Sequence, residues 1–508
     1  MLITELFKAL SNEAVTRPYQ TAVTTVLVSL FACIVVNEYM ARSARLVAFD
    51  GPKRLPIVGN LHQLRSNAAE KYREWAKTYG PVYQIQLGNI PILLVNSASA
   101  ARTVFGTNSS ATASRPEFYT FHKLVSNTAG TTIGTAPYNE SLKRRRKGAA
   151  SALNRPAVET YIPHLDLETK EFISEAYKFG KAGAAEVDPL PLVQRLSLSL
   201  ALTLNWGTRM PSSDSDLLRE ITHVEVEISR FRSTTDNLQD YIPLLRLNPF
   251  SFGHKKAAEY RGRRDAYLGM LNRDLEERVS KGTHKPCIQA NIMLDREAKL
   301  NDVEMMSISL TMLSGGFETF STVTTWAIAY LATHPEIQDK AYKAITDLHG
   351  PESPLCDSHD DQKYFTVLRL SLPRATNKDF YYEGKFVPKG TVVFLNSWAC
   401  NMDAELWEDP EVFRPERWLE LPDHPMFTFG VGYRMCAGSL LANRELYLTF
   451  MRMIASFELS TTDKIDTNPL TGVEDLTSLV STPRKYRVIF KPRNDTVLKT
   501  ALAQGVVE

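Results

Sequence analysis

One cysteine, Cys436, stands in the stretch FTFGVGYRMCAGSLLANRELY, behind Gly430, Gly432 and Arg434 and ahead of Gly438. Past it, Leu440, Leu441, Leu448, Met451 and Ile454 recur near helical spacing, which predicts a helix starting just after the thiol. A structural cysteine packs as a small hydrophobe and needs neither glycines nor a guanidinium. A cysteine that must act as a thiolate gains from both. A helix N-terminus and Arg434 favour the anion, and loop N–H groups can bond the sulfur. The remaining cysteines, Cys33, Cys287, Cys356 and Cys400, form no Cys-x-x-Cys pair, which argues against a zinc ribbon, a disulfide framework or a redox dithiol. Unpaired thiols fit a body folded in a reducing compartment.

The second chemical signal is an acid and an alcohol inside LNDVEMMSISLTMLSGGFETFSTVTTWAIAYLATHPEIQ. Asn301 with Glu304 reads as a capping box, and His334-Pro335 ends the pattern, so a helix of roughly 45 Å lies between them. It is apolar on most sides, the mark of a buried helix. Gly315-Gly316 costs about 1 kcal/mol per glycine against alanine in a helix interior. Close helix packing would account for the glycines, but not for Glu318 and Thr319 just beyond them. A locally opened turn accounts for both. It makes room for a small ligand, frees backbone carbonyls for water, and lets Glu318 and Thr319 pass protons inward.

These two segments must be held by a large body. The 508 residues, 44% of them hydrophobic, can bury a sizeable core, and no Gly/Ser-rich linker, repeat or low-complexity tract divides them. A formal net charge of +2 argues against a nucleic-acid partner. The one basic run, KRRRK from Lys143 to Lys147, reads as a solvated helix face or an anion-binding one. Near the N-terminus AVTTVLVSLFACIVV carries no charge and is followed by Arg42 and Arg45. Extended to residues 21–40, it predicts a single membrane anchor, with 1–20 lumenal and the body cytoplasmic. A cleaved signal or a buried helix is the competing reading. FDGPKRLPIVGNL then suggests a stiff hinge within a linker over 41–62, before a body over 63–495 and a tail over 496–508.

With both segments in view, Phe429-x-x-Gly432-x-Arg434-x-Cys436-x-Gly438 resembles the haem-binding signature of cytochrome P450 monooxygenases at every fixed position. Gly315-Gly316-Phe317-Glu318-Thr319 is similar to that family's oxygen-activation motif, departing at Phe320 where a second hydroxyl is common. FRPERW resembles its meander motif, and the likeness extends from about Gly51 to Arg493. The resemblance implies a mainly α fold with a small β lobe, drawn from the N-terminal third and the RKYRVIFKP strand. Haem b would lie between the glycine-bearing helix and the Cys436 loop. Cys436 would be the axial iron ligand, donating electron density that favours O–O cleavage. Phe429, Gly432 and Gly438 would frame it, and Arg434 and Arg374 (of PRAT) would neutralise haem propionates. From APYNESLKRRRK, where Tyr138 replaces a frequent Trp, Arg144 is the candidate third propionate partner. Glu318 and Thr319 would supply protons to O2. The chain has no Gly-x-Gly-x-x-Gly nucleotide fingerprint, so electrons would come from NADPH through a separate cytochrome P450 reductase in the same endoplasmic reticulum membrane.

Within the family, ISRFRSTTDNLQDYIPLLR, YFTVLRLSLPRAT and GYRMCAGSLLANRELYL resemble the fungal phenylacetate and hydroxyphenylacetate hydroxylase group. That implies a small aromatic substrate, phenylacetate-like or a phenolic intermediate of secondary metabolism. Arg230 or Arg232 could meet its carboxylate, unless both are merely solvated or salt-bridged. One family part is missing: a Glu-x-x-Arg helix that pairs with the meander arginine, here Arg417. Where it should precede YFTVLRL, DDQK is joined directly to Tyr364, and Asp360-x-x-Lys363 only mimics its charge order. Two readings follow: an active monooxygenase, or a degenerate, non-catalytic haem-fold protein.

Overall fold

The structure, a computed structural model, describes residues 18–64, 67–126, 131–210, 212–233, 237–247, 252–295, 300–356, 369–421 and 424–504. Asp360 and Lys363 lie outside these residues.

Helices dominate. The first, α1 (Pro18–Ser43), is apolar and exposed over most of its length, with Ala41 buried near its end. It has the length and composition to cross a membrane, with a mean hydropathy of 1.9 over an 18-residue window of Tyr19–Ser43. Its Glu38 meets Arg54 at 2.6 Å, tying the helix to the body. In the body, α2 (Glu140–Ala152), α3 (Arg155–Phe179), α4 (Pro189–Trp206) and α5 (Asp216–Arg230) precede the central α6 (Asp302–Thr333), and α7 (Ser439–Ser456) follows the cysteine.

Helix α6 forms where its caps predict. Asn301 Oδ1 accepts the Glu304 N–H at 2.9 Å, and Glu304 accepts the Asn301 N–H in return. It packs along α4 through small residues and backbone. Ser197 donates to the Phe317 carbonyl at 2.6 Å, and a Cβ on Gly316 would rest 3.8 Å from Ala201. The expected opened turn at Gly315-Gly316 is absent: α6 runs unbroken through both glycines. The room comes instead from the missing side chains, since a Cβ on Gly315 would meet nothing within 4 Å.

The strands fall into separate sheets. One has the order β1-β2-β7-β4, joining Val82–Leu87 and Ile90–Val95 to Val392–Leu395 and Arg374–Ala375. A second has the order β3-β9-β8 (Glu186–Val187, Val488–Pro492, Phe457–Ser460), and β5 and β6 (Phe380–Tyr382, Lys385–Val387) pair as a third. The C-terminal strand therefore does not join the N-terminal lobe, as the sequence suggested; the middle strands after Leu372 do. The expected hinge is also seated rather than free. The Gln84 N–H donates to the Asp50 carbonyl, Phe49 is buried, and a Cβ on Gly51 would fall 1.7 Å from the Gln84 carbonyl oxygen.

Candidate active site

The cysteine loop is built by glycines that nothing else can replace. Gly430 and Gly432 have φ of +72° and +69°. A Cβ on Gly432 would stand 1.8 Å from the Phe105 carbonyl oxygen. The Cys436 N–H closes the loop on the Phe429 carbonyl at 2.9 Å, and Gly438 caps α7. Cys436 is solvent-accessible, yet surrounding protein pushes its thiol pKa up by burial. Both hold together for a group on the wall of an interior space. The Gly438 N–H and the Arg146 charge act in the opposite sense, favouring the thiolate.

Arg434 does not face the thiol as expected. It reaches back into the body and donates to the carbonyls of Ala113, Ala136, Ile133 and Gly134 at 2.7–3.2 Å. There it joins Arg115, Arg146 and Arg374 in one cluster of guanidinium groups. Burial and mutual repulsion lower Arg434 to about 9 and Arg374 to about 10, and push Arg115 well below its usual range. Among the described residues, no carboxylate is among the groups acting on these three. The N–H inventory is incomplete as well. Arg374 gives Nη2 to the Val431 carbonyl at 2.6 Å, while its Nε and Nη1 are buried without a partner. Arg115 gives Nη1 to the carbonyls of Leu372 and Pro373, and its Nε is likewise unpartnered. Each orphaned donor costs about 1–3 kcal/mol. A buried cluster of cations with spare N–H groups needs an anion with several oxygens, and a haem bearing two propionates fits.

The cation cluster also connects to α6. Ile133 links the two sides: its N–H donates to Thr311 Oγ1 on α6 at 2.9 Å, and its carbonyl accepts Arg434 at 2.7 Å. One turn on, Gly315 is exposed in the middle of a buried helix. Thr319 Oγ1 donates to the Gly315 carbonyl at 2.6 Å. Burial pushes the Glu318 carboxyl up to about 7, against the pull of the Ser229 hydroxyl and Arg232. An accessible thiol, unpartnered guanidinium N–H groups and open space at Gly315 are together what a haem-thiolate site requires.

Arg144 lies apart. It pairs with Glu304 at 2.6 Å, and its side chain is 45% exposed. Arg146 is the member of the run that enters the cluster, packed 5.2 Å from the Tyr433 ring. The signal for it was periodicity. Leu142 is buried, and Arg145 and Arg146, three and four residues on, share its face. Arg115, from SRP, carried no comparable signal. Of the two substrate candidates, Arg230 is half-exposed and pairs with Glu227 at 2.5 Å, whereas Arg232 turns inward towards Ser314. Arg417 is buried but not without partners, donating to the carbonyls of Arg414, Glu408, Asp409 and Val412.

Comparison with known proteins bears on this geometry. The family model described as Cytochrome P450 matches residues 50–490. The chain is 60% identical to 3-hydroxyphenylacetate 6-hydroxylase of Emericella nidulans, over 99% of this chain and 100% of that protein. It is 40% identical to phenylacetate 2-hydroxylase of Emericella nidulans, over 89% and 91%. With cytochrome P450 1A1 of Opsanus tau the identity is 27%, over 88% and 93%. The first alignment runs over 519 positions against 508 residues here, so that relative has residues with no counterpart in this chain.

Proposed function

Because the chain belongs to the cytochrome P450 family and is a monooxygenase of it, we propose that it hydroxylates the ring of a small aromatic acid of the hydroxyphenylacetate kind. The observation that carries this reading is the end-to-end 60% identity with a hydroxyphenylacetate hydroxylase. One atom of O2 enters the ring as hydroxyl, and the other leaves as water with two electrons from NADPH and two protons. The non-catalytic reading is set aside, since the chain matches the family model over 50–490 and retains the thiol, the arginines and the acid–alcohol pair.

Bound haem supplies an iron centre that activates O2. The chain's own residues divide the remaining work. Cys436 Sγ would hold the haem iron, on a loop fixed by Phe429, Gly430, Gly432 and Gly438. Arg374, Arg434, Arg115 and Arg146 would hold the propionates, with Arg146 taking the place expected of Arg144. Glu318, near half-protonated at neutral pH, would hold a proton for delivery. Thr319 would pass it on from a hydroxyl held at Gly315. Helix α1 would anchor the protein in the endoplasmic reticulum membrane, with the body from about Phe49 on the cytoplasmic side beside an NADPH–cytochrome P450 reductase.

The test is reconstitution of the full chain with a reductase and NADPH, offering phenylacetate and 3-hydroxyphenylacetate under ¹⁸O2. One labelled ring hydroxyl per product is expected. No product from either acid, in protein that carries haem, would refute the substrate reading. Turnover without any reductase would refute the electron route.

A further inference from the structure

Resting on that reading, we propose that Arg232 is the substrate-recognising cation, taking the carboxylate of an arylacetate and setting its ring over Gly315. Arg232 follows the end of α5 and turns inward. Its Nη2 lies 3.5 Å from Ser314 Oγ, and its guanidinium carbon is 4.9 Å from the Phe121 ring centroid. Its Nε is buried and has no partner. Among the described residues it belongs to no ion pair within 4 Å, unlike neighbouring Arg230.

Nearby carboxylates do not use it. Glu225 is occupied on both oxygens, by the Tyr267 hydroxyl and by Ser314 at 2.7 Å. Asp240, in the same cleft, accepts the Thr120 N–H at 2.6 Å and feels Arg246. Glu318 attracts Arg232 without reaching it, and burial holds Glu318 partly protonated.

Two cations line the cleft, Arg115 and Arg232, with Phe118, Phe121, Phe231 and Pro373 among its apolar residues. Arg115 belongs to the cluster that would hold the propionates. Arg232 is left for a second anion. A guanidinium flanked by an aromatic face suits a planar carboxylate whose own ring rests on Phe residues. Ser314, which Arg232 approaches, immediately precedes Gly315, where α6 leaves open space. A ring one methylene from the carboxylate would therefore lie at that opening.

The probe pair is phenylacetate and its neutral isostere phenylacetamide, titrated into the haem-loaded full chain by calorimetry and by the Soret shift. The wild-type chain should prefer the acid by roughly 10- to 150-fold, the worth of one charge-assisted hydrogen bond. Arg232→Gln should erase the preference while keeping amide affinity; Arg232→Lys should retain part of it. A structural role for Arg232 would weaken both ligands alike. The proposal is overturned if Arg232→Gln keeps the acid preference, or if the wild-type chain shows none. Should Arg232→Gln lose haem, Arg232→Lys and the wild-type preference decide. A wild-type chain that binds neither compound would instead refute the arylacetate reading itself.

Discussion

Arg374→Gln should move the apo and haem-bound proteins in opposite directions. Without haem, Arg374 is a cost: its pKa is held near 10 by burial and by Arg146, and two of its buried N–H groups have no partner. Its visible returns are one bond to the Val431 carbonyl at 2.6 Å and packing 4.8 Å over the Phe105 ring. Glutamine can keep the first through its amide, so the apo protein should melt at the same temperature or higher. With haem, the same side chain would make a charge-assisted contact worth about 1.5–3 kcal/mol. Its loss should speed haem release roughly 10- to 150-fold at 1.36 kcal/mol per decade. The assay is haem transfer to excess apomyoglobin, alongside thermal melts of the apo forms. Arg144→Gln is the control and should leave haem release unchanged, because Arg144 pairs with Glu304 away from the cluster. Unchanged release from Arg374→Gln, or equal destabilisation of both forms, would refute the assignment of this cluster to the propionates.

Gly432→Ala places a methyl 1.8 Å from a backbone oxygen at a φ of +69°, so backbone must shift; haem content of the purified protein should collapse, and wild-type content would contradict the loop's role. Cys436→Ala should abolish the red-shifted Soret band of the reduced carbon monoxide complex, whereas Thr319→Ala should keep it and uncouple NADPH consumption from product. Retention of the band in the first, or normal coupling in the second, removes that residue from its role. Glu445, raised to about 8 by burial from an ordinary 4.5, favours the fold while protonated. That contribution is complete below about 4.5 and is lost as pH rises through about 8, so Glu445→Gln should gain on wild type in melts at pH 9 relative to pH 5. Inserting about a dozen family-like residues ending in Glu-x-x-Arg between Lys363 and Tyr364 should raise haem per protein; equal occupancy with and without the insert would show the segment dispensable.

Local features were legible in the sequence because their causes are local. The capping box of α6, the glycine-bound thiol loop and the helix start after Cys436 each depend on residues a few positions apart. What the sequence withheld was direction. Arg434 stands two residues before the thiol, yet its partners are carbonyls some 300 positions earlier, around Ala113 and Ile133. The Arg144–Arg146 choice turned on which face of α2 is buried, which Leu142 signals only once α2 is known to pack against the site. Strands β4 and β7 carry little signal of their own because they are short and form by pairing, β7 with β2 and β4 with β7. The glycine pair does mark an opening in α6, but the space at Gly315 is a matter of packing rather than of backbone.

Arg417 shows how a missing partner can be half replaced. On sequence grounds it should have been a buried charge without contacts, a loss of about 3–5 kcal/mol when half of a buried pair is removed. The structure gives its N–H groups to four backbone carbonyls and stacks it 5.7 Å from the Trp407 ring. Those oxygens satisfy the donors, so the desolvated hydrogen-bond penalty largely disappears. They do not neutralise the charge, so an electrostatic cost remains, softened by the ring face. The meander can therefore close on itself without the Glu-x-x-Arg helix. What the family resemblance would have supplied is a tie from Arg417 to that helix, bracing the Cys436 loop. The defect expected of this chain is thus a loosened haem pocket in a folded protein. Faster haem exchange at unchanged secondary structure is the form that defect should take.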